Sequence, residues 1–420
     1  MNFKPKSEFS QNVLILMTGT SIAQAIPIAI SPILTRIYTP EDFGTFALYM
    51  SIVSIIAVLA TARYEQAIIL PKKDEDSINI VALSMLIALC ISFISLVIIV
   101  IFNESIVNLI GIDELSSWLY LIPISVFLTG VYQSLNYWTN RKKQYKQLAT
   151  SKVAQSVATA TTNLGLGSIS FGFGGLILAR LTGQLISVFV LLKKVLVKDR
   201  LLFEEVKILK VLALMKRYKK FPIVNSANAI IDSLRLASIN ILIARFFTHS
   251  VLGQFVLAWQ MVQIPISLLG TSLSQVFFQK ISKVRKEELH EIVKIFLIKA
   301  SLVSLPIFLI IYFFAVDIFE FVFGKNWKLA GTLASTMAPW IFLNFLSGPM
   351  ASVFIVLNKQ ELVLKVSILY MLVPISILIF GRDLEFLYLW SLITYSMSLI
   401  LLGYIILALL YTRKEHKNVV

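Results

Sequence analysis

The sequence predicts an all-α polytopic membrane protein with twelve transmembrane helices arranged as two six-helix lobes. Hydrophobic residues make up 57% of the 420 residues, charged residues only 15%, and the mean hydropathy is +0.83. A soluble domain of this length needs a far more polar surface. The other two observations are a series of long apolar runs and a motif that occurs once in each half of the chain.

The apolar runs are about 20 residues or longer, which is the length that crosses a bilayer as a helix. The first run carries Gln24, Pro27 and Pro32 and continues to Thr35, so we interpret it as a retained span and not as a cleavable signal peptide. The twelve predicted spans are residues 12–35, 43–70, 78–102, 115–139, 147–169, 173–192, 219–245, 251–279, 293–316, 329–357, 362–380 and 385–411.

The repeated motif indicates that the two halves are related. Residues 36–48, RIYTPEDFGTFAL, correspond to residues 245–257, RFFTHSVLGQFVL, at an offset of 209 residues. Chance identity in so biased a composition is the alternative, but the offset is almost half of the chain length, which favours duplication. The identical pairs are Arg36/Arg245, Thr39/Thr248, Gly44/Gly253, Phe46/Phe255 and Leu48/Leu257.

Lysine and arginine are distributed unevenly between the gaps. The two tails and the even-numbered gaps carry most of them, whereas the odd-numbered gaps carry only Arg36, Arg245, Lys325, Lys328 and Arg382. The positive-inside rule therefore predicts that both termini are cytoplasmic. Six spans in each half make the repeats parallel, with lobes at residues 1–192 and 219–420 and a basic cytoplasmic linker at residues 193–218.

Several function classes are disfavoured by composition. The net charge of +15 could suggest nucleic-acid binding, but the basic residues lie in short gaps between spans, where membrane topology explains them. Cys90 is the only cysteine and lies inside an apolar run, so a disulfide or a cysteine-based metal centre is not expected. The gaps are short and the three histidines are isolated, so we expect neither catalysis nor a cofactor.

Ionisable residues inside spans are energetically costly and mark candidate functional sites. In span seven, Asn225, Asn228, Asp232 and Arg235 follow at steps of three, four and three, which places them on one helix face. We interpret this stripe as the wall of a water-filled cleft. The alternative is an Asp232–Arg235 ion pair that only fixes packing.

Span two carries Arg63 and Glu65 in the sequence TARYEQAIILPKKDED. Arg63 is predicted to be a cavity residue, although a long arginine could also snorkel from this depth. In a continuous helix, positions i and i+2 do not share a face, so we expect that the two side chains cannot both enter one narrow pore. Glu65 is then either a structural support for Arg63 or a group that couples transport to a proton or a sodium ion; Asp232 is the other candidate for coupling.

Span five is unusually polar for a membrane helix. Lys152, Gln155, Thr159 and Thr162 share one face by their spacing of three, four and three, which indicates a further cavity surface. Weaker cavity candidates in spans six and eight are Arg180, Gln184, Gln260 and Gln263, and Lys299 in span nine is expected to snorkel.

Helix-breaking residues mark candidate hinges. Span one contains Gly19, Pro27 and Pro32, and span eight contains Pro265 and Gly270. Each of these residues can weaken or kink a helix. We expect spans one and eight to bend during transport.

The opening NVLILMTGTSIAQAIPIAISPILTRIYTPEDFGTFALYMSI, with RYEQAIILP and KKDED after it, resembles the bacterial oligosaccharide flippases of the polysaccharide transporter family. These O-antigen (Wzx-type) flippases belong to the superfamily of the multidrug and toxin extruders and the lipid II flippase. The motif resemblance covers residues 12 to 167, and the resemblance in topology covers the whole chain.

The resemblance implies a multidrug and toxin extruder-like fold in the bacterial inner membrane. It also implies transport of an undecaprenyl-pyrophosphate-linked oligosaccharide from the cytoplasmic to the periplasmic leaflet, with a polysaccharide polymerase and assembly proteins as partners. The family's cationic cleft maps onto Arg63 and Arg235, with Lys152 and Arg180 as further contributors, and arginine forks suit a pyrophosphate.

Alternative functions are an ion-coupled exporter of another amphipathic or small-molecule substrate, a membrane enzyme and a scaffold. A cation exporter would need an excess of intramembrane carboxylates, whereas the excess here is cationic. An enzyme would need a longer external segment, and a scaffold would not need the polar stripes of spans two, five and seven.

Overall fold

The computed structural model describes residues 8–282, 284–285, 288–357 and 359–417, and within these ranges the regular structure is entirely helical. Helices satisfy their backbone hydrogen bonds internally, as the hydrocarbon region of a membrane requires. The chain divides by contacts into two compact units, with the division between Arg245 and Phe246. The predicted lobe and linker boundaries at residues 192 and 219 remain predictions.

The first unit is built around long helices in which α1 packs on α6, α6 packs on α7, and α3 packs on α5. Its helices in chain order are α1 (Glu8–Ile37), α2 (Pro40–Ala57), α3 (Asp74–Ile110), α4 (Ser116–Leu119), α5 (Ile122–Arg141), α6 (Tyr145–Ser168), α7 (Phe173–Lys198), α8 (Arg200–Phe203), α9 (Ile208–Arg217) and α10 (Ser226–Phe246).

In the second unit, α14 packs on α11, α13 and α17, and α16 packs on α17. The helices of this unit are α11 (His249–Pro265), α12 (Thr271–Ile281), α13 (Leu289–Phe323), α14 (Lys328–Ser347), α15 (Met350–Val356), α16 (Gln360–Phe380) and α17 (Phe386–Lys417).

Each of the twelve predicted spans coincides with a helix, or with consecutive helical segments, in the described part of the chain. Among the described residues, seven helices are long and apolar enough by themselves to cross a membrane. An eighth span results if the segments Asp113–Leu119 and Ile122–Arg141, bent by 46°, are counted together. The helices of spans two, five, seven and eight are not among them.

Both copies of the repeated motif form the same joint between two helices. Thr39 is the N-cap of α2 and Thr248 is the N-cap of α11, and both have extended backbone angles. Each threonine hydroxyl accepts a hydrogen bond from the backbone N–H three residues later, at 3.2 Å from Asp42 and 3.2 Å from Val251. The capping supports the interpretation of a structural repeat.

The first joint has a reciprocal contact that the second lacks. The Asp42 carboxylate accepts from the Thr39 backbone N–H at 2.9 Å, which completes a capping box, whereas the equivalent residue of the second copy is Val251. Tyr38 in the same joint is buried and donates its hydroxyl to the carbonyl of Asn163 at 2.8 Å. Burial, with the charge of Asp42, raises the pKa of Tyr38 to about 12.

Span two is not the continuous helix that its sequence predicts. α2 ends at Ala57, and the chain returns to helical form only in a short 3₁₀ helix at Tyr64–Ile69. Between them, Ala62 and Arg63 have positive φ angles of 46° and 61°. Two consecutive non-glycine residues in the left-handed region are strained and persist only where surrounding contacts hold them.

The predicted linker contains α8 and α9, and α9 packs on α3. The buried Asn79 side chain donates to the carbonyl of Glu205 at 3.0 Å and accepts from the N–H of Lys207 at 2.9 Å. Tyr64 donates its hydroxyl to the carbonyl of Met215 in α9 at 3.0 Å. The linker is therefore attached by hydrogen bonds to the segment that carries Arg63.

Aromatic rings fill much of the interior of the second unit. Trp259 lies with its ring centroid 5.3 Å from that of Trp340, and Phe255 lies 4.9 Å from Trp390. Trp340 and Trp390 are almost completely buried. Such ring pairs add stabilisation beyond the apolar area that they bury.

Candidate functional site

A cavity of about 580 Å³ lies within the first unit. Its wall combines apolar residues of α1 and α2 with polar residues of α5, α6 and α7. The apolar lining residues are Pro27, Met50, Val53, Ala57 and Val58, and the polar ones are Ser54, Arg63, Thr129, Tyr132, Gln133, Gln155, Ser156, Thr159, Arg180, Gln184 and Ser233.

Arg63 is placed in the cavity wall by the left-handed turn that interrupts span two. Its guanidinium lies 3.7 Å from the carboxylate of Glu65, which is 1% exposed and also accepts a hydrogen bond from the Thr61 hydroxyl. The two side chains meet because this segment is not α-helical. Arg63 lines the cavity and Glu65 does not, so the two side chains meet without both entering the cavity, although the continuous helix that our expectation assumed is absent here.

Arg180 comes from the middle of α7 and is half-buried. No carboxylate among the described residues forms an ion pair with it, although the phenol of Tyr132 lies near enough to interact electrostatically. Its Nε atom is buried and has no hydrogen-bond partner among the described residues, and the same is true of Arg63 Nε. A buried cation without an anion is costly unless a ligand supplies the negative charge.

Amide and hydroxyl groups complete the polar wall. Gln184 donates to the hydroxyl of Thr129 at 2.9 Å, while its carbonyl oxygen has no partner in the described part of the chain. Gln155 and Thr159 lie where α6 and α7 are closest, because a Cβ on Gly183 would overlap the Thr159 hydroxyl. Gly183 thus permits the close helix packing that brings both polar faces to one cavity.

Some of the predicted site residues line the cavity and others do not. Arg63, Gln155 and Arg180 share the cavity, and Glu65 lies behind Arg63. Lys152 and Arg235 are half-buried in α6 and α10 but are not among the lining residues. The side chains of Asn225, Asn228 and Asp232 lie outside the described part of the structure, so the span-seven stripe remains a prediction.

Three lining residues of span four were not predicted from the sequence: Thr129, Tyr132 and Gln133. With Asn136, which donates to the Tyr132 hydroxyl at 3.2 Å, they recur at intervals of three and four residues. That spacing is typical of one helix face and could have identified this polar wall.

The predicted hinge residues differ in their surroundings. Pro27 and Pro32 lie inside the unbroken helix α1, and Gly19 is a close-packing position, because a Cβ there would overlap the Cβ of Ala149. Pro265 ends α11, and a π-helical turn at Ile266–Gly270 separates α11 from α12. π-turns are frequent at functional breaks in helices. Movement at these residues remains a prediction.

The groups that line the cavity include two guanidinium groups, several amides and several hydroxyls. Within the described residues, no group of three or more His, Cys, Asp and Glu side chains is placed to hold a metal ion. Two guanidinium groups provide paired donors that match phosphate oxygens. The amides and hydroxyls suit neutral polar groups such as sugar hydroxyls.

The fold is that of known membrane transporters. A multidrug resistance MATE family transporter of the MOP superfamily, in an inward-facing conformation, matches with a TM-score of 0.72 at 15% identity over 96% of this chain and 98% of that chain. The lipid II flippase MurJ, in an inward closed conformation, matches with a TM-score of 0.73 at 14% identity over 94% of this chain and 87% of that chain.

A third similar structure is a MOP superfamily transporter from Pyrococcus furiosus, described as having a binding pocket of reversed polarity. It matches with a TM-score of 0.56 at 15% identity over 96% of this chain and 94% of that chain. The chain is therefore a multi-pass membrane protein with the fold of these transporters.

A family model described as polysaccharide biosynthesis protein matches residues 33–331. This match covers most of the chain, and the chain belongs to that family. No curated protein sequence matches it.

Proposed function

We propose that the protein flips an undecaprenyl-pyrophosphate-linked oligosaccharide repeat unit from the cytoplasmic to the periplasmic leaflet of the bacterial inner membrane. Membership of the polysaccharide biosynthesis family supports a lipid-linked sugar as substrate, and one of the similar structures is a lipid II flippase. The proposed role is transport by alternating access and not catalysis.

The observation that carries this proposal is the pair of arginines in one cavity. Arg180 has no carboxylate partner among the described residues, and Arg63 retains a buried Nε donor in spite of its ion pair with Glu65. A pyrophosphate would accept from both guanidinium groups and neutralise the Arg180 charge. The apolar part of the wall around Met50 and Val53 offers no hydrogen-bonding side chain to the pyrophosphate, so the two arginines are its proposed binding groups.

Glu65 is proposed as the residue that holds Arg63 in position and as the candidate site for a coupling proton or sodium ion. Its carboxylate is buried, contacts both Arg63 and Thr61, and belongs to the same segment as the cavity wall. Binding of a proton or of sodium would weaken the attraction between Glu65 and Arg63 and leave Arg63 freer to contact the substrate.

The proposal is tested with purified protein in liposomes that contain a fluorescently labelled, undecaprenyl-pyrophosphate-linked short oligosaccharide. A membrane-impermeant quencher then measures how fast labelled headgroups leave the inner leaflet. Arg180→Ala should slow flipping about 10- to 100-fold, since a hydrogen bond to a charged group contributes roughly 1.5–3 kcal/mol. Arg180→Lys should restore part of the rate, because it keeps the charge and loses the fork.

The matched control is Arg200→Ala, which removes an exposed arginine of the same unit outside the cavity and should leave the rate unchanged. A wild-type flipping rate in Arg180→Ala would contradict the anion-binding role. Transport of a cationic dye, with no transport of the lipid-linked sugar, would instead support the alternative of a small-molecule exporter.

The proposed direction depends on the predicted topology. Reporter fusions after Lys146 and Lys286 should report cytoplasm, and fusions after Glu104 and Lys328 should report periplasm. The reverse pattern at two or more of these sites would refute both the predicted orientation and the proposed direction of transport.

A further inference from the structure

A second pocket, of about 280 Å³, lies between α12 and α13 in the second unit. Its wall is almost wholly apolar and includes Leu273, Phe277, Phe296 and Val303. The rings of Phe277 and Phe296 are 4.1 Å apart between centroids and form one side of the wall. This pocket and the cavity of the first unit have no lining residue in common.

The pocket has the depth of one membrane leaflet. Its lining residues on α13 run from Ile292 to Val303, which is about 16 Å at 1.5 Å per residue. The hydrocarbon core of a bilayer is about 30 Å thick, so the pocket extends through about half of it. It begins one turn from the end of α13 that adjoins α12, the end that the predicted topology assigns to the cytoplasm.

Two lysines give this apolar pocket a charge preference. Lys280, in the last turn of α12, and Lys299, within predicted span nine, both line the pocket and are exposed. No ion pair joins either lysine to a carboxylate among the described residues. An ammonium group at this depth is costly unless it reaches the headgroup region or binds an anion.

We propose that this pocket binds an anionic phospholipid of the leaflet that adjoins the α12–α13 connection. One acyl chain occupies the apolar wall formed by Leu273, Phe277, Phe296 and Val303, and the headgroup phosphate lies between Lys280 and Lys299. An acyl chain fits an apolar pocket that opens within the membrane, and two ammonium groups without an ion pair to any described carboxylate complement a phosphate as point charges. The site requires neither the proposed substrate nor the cavity of the first unit.

The test measures lipid retention on the full-length purified protein by native mass spectrometry, with phosphatidylglycerol and phosphatidylcholine of identical chains. Wild-type protein should bind phosphatidylglycerol more tightly than phosphatidylcholine. Lys280→Gln and Lys299→Gln should each weaken that binding about five-fold, since a basic residue near an anionic surface contributes roughly 1 kcal/mol. Phosphatidylcholine binding should change little in either variant.

Two further variants separate charge from shape. Val303→Trp, at an exposed position of the wall, should weaken binding of both lipids by filling the pocket without disturbing the core. Lys294→Gln removes an exposed lysine of α13 that does not line the pocket, and should change neither affinity.

Equal affinity of the wild-type protein for the two lipids would overturn the proposal. Unchanged phosphatidylglycerol binding in a variant that combines Lys280→Gln with Lys299→Gln would also overturn it. Undecaprenyl phosphate provides a third arm. If undecaprenyl phosphate displaces phosphatidylglycerol when it is present at a lower concentration than phosphatidylglycerol, and if its binding depends on the same lysines, the occupant is a polyprenyl chain. The phospholipid assignment is then wrong.

Discussion

The two halves of this protein share a joint but differ in what surrounds it. Thr39 and Thr248 cap equivalent helices, and eleven residues further along each copy the equivalent positions are Met50 and Trp259. Met50 lines a cavity that contains two arginines, whereas Trp259 packs on Phe255 and Trp340. A duplicated backbone can therefore keep its helix-capping chemistry while one copy opens a polar cavity and the other fills with aromatic rings.

This difference implies a division of roles within the chain. In the first unit, Arg63 and Arg180 retain buried donors that no described residue of the chain satisfies, which lowers stability but leaves groups for a ligand. In the second unit, the large buried rings of Trp340 and Trp390 stabilise the helices that they join. We expect substitutions in the first interior to affect transport, and substitutions in the second to affect stability.

The largest expected effect is on transport. Arg63→Ala combined with Arg180→Ala should reduce flipping in the liposome assay more than 100-fold, because two charge-assisted contacts of roughly 1.5–3 kcal/mol each are lost. Arg382→Ala, which removes an exposed arginine of the second unit, is the matched control and should flip at the wild-type rate. A combined variant that still flips within three-fold of the wild type would refute the assignment of anion binding to the first unit.

The next largest effect is on stability, at the equivalent positions of the two copies. Trp259→Ala should lower the free energy of unfolding by about 3 kcal/mol, because it leaves a void beside Trp340 and Phe255. Met50→Ala should cost less than about 1 kcal/mol, since its side chain already borders a cavity. Thermal unfolding in detergent measures both. Equal destabilisation would mean that the first interior is packed as tightly as the second.

A further test replaces Met50 of the first unit with tryptophan, the residue at the equivalent position of the second unit. Met50→Trp should place a large ring in the cavity and slow flipping about ten-fold, with melting temperature little changed. Met50→Leu keeps the volume nearly constant and serves as the control. A normal flipping rate in Met50→Trp would show that the substrate does not enter this part of the cavity.

The smallest expected difference lies in the two joints. Thr39→Ala and Thr248→Ala should each destabilise the protein by about 1 kcal/mol through the loss of an N-cap. The effect at Thr39 should be the larger, because its variant also disrupts the reciprocal interaction with Asp42. Asp42→Val, which gives the first joint the residue of the second, should make the two threonine variants equivalent. An effect at Thr248 larger than that at Thr39 would contradict this account.

The sequence was sufficient to predict where along the chain most helical segments lie. Apolar runs of membrane-spanning length coincide with helical segments throughout the described chain, and the repeated motif marks equivalent capped joints. The spans can be predicted from sequence because a lipid environment requires each of them to satisfy its own backbone hydrogen bonds. The joints can be predicted because capping is a local interaction. Arg63, Gln155 and Arg180 could be identified for a similar reason, since a polar residue in an apolar run needs a polar environment.

Only the tertiary structure decided the details of the site. The segment VLATARYE has neither Gly nor Pro to predict the break after Ala57, and the left-handed turn is held by non-local contacts, including Thr61 with Gln133 and Tyr64 with Met215. Hydropathy likewise does not show that no carboxylate among the described residues pairs with Arg180, because ion pairing depends on which helices become neighbours. Local sequence thus predicted most of the helical segments, while contacts between distant segments determined where the side chain of Arg63 points and which of the described cations form ion pairs.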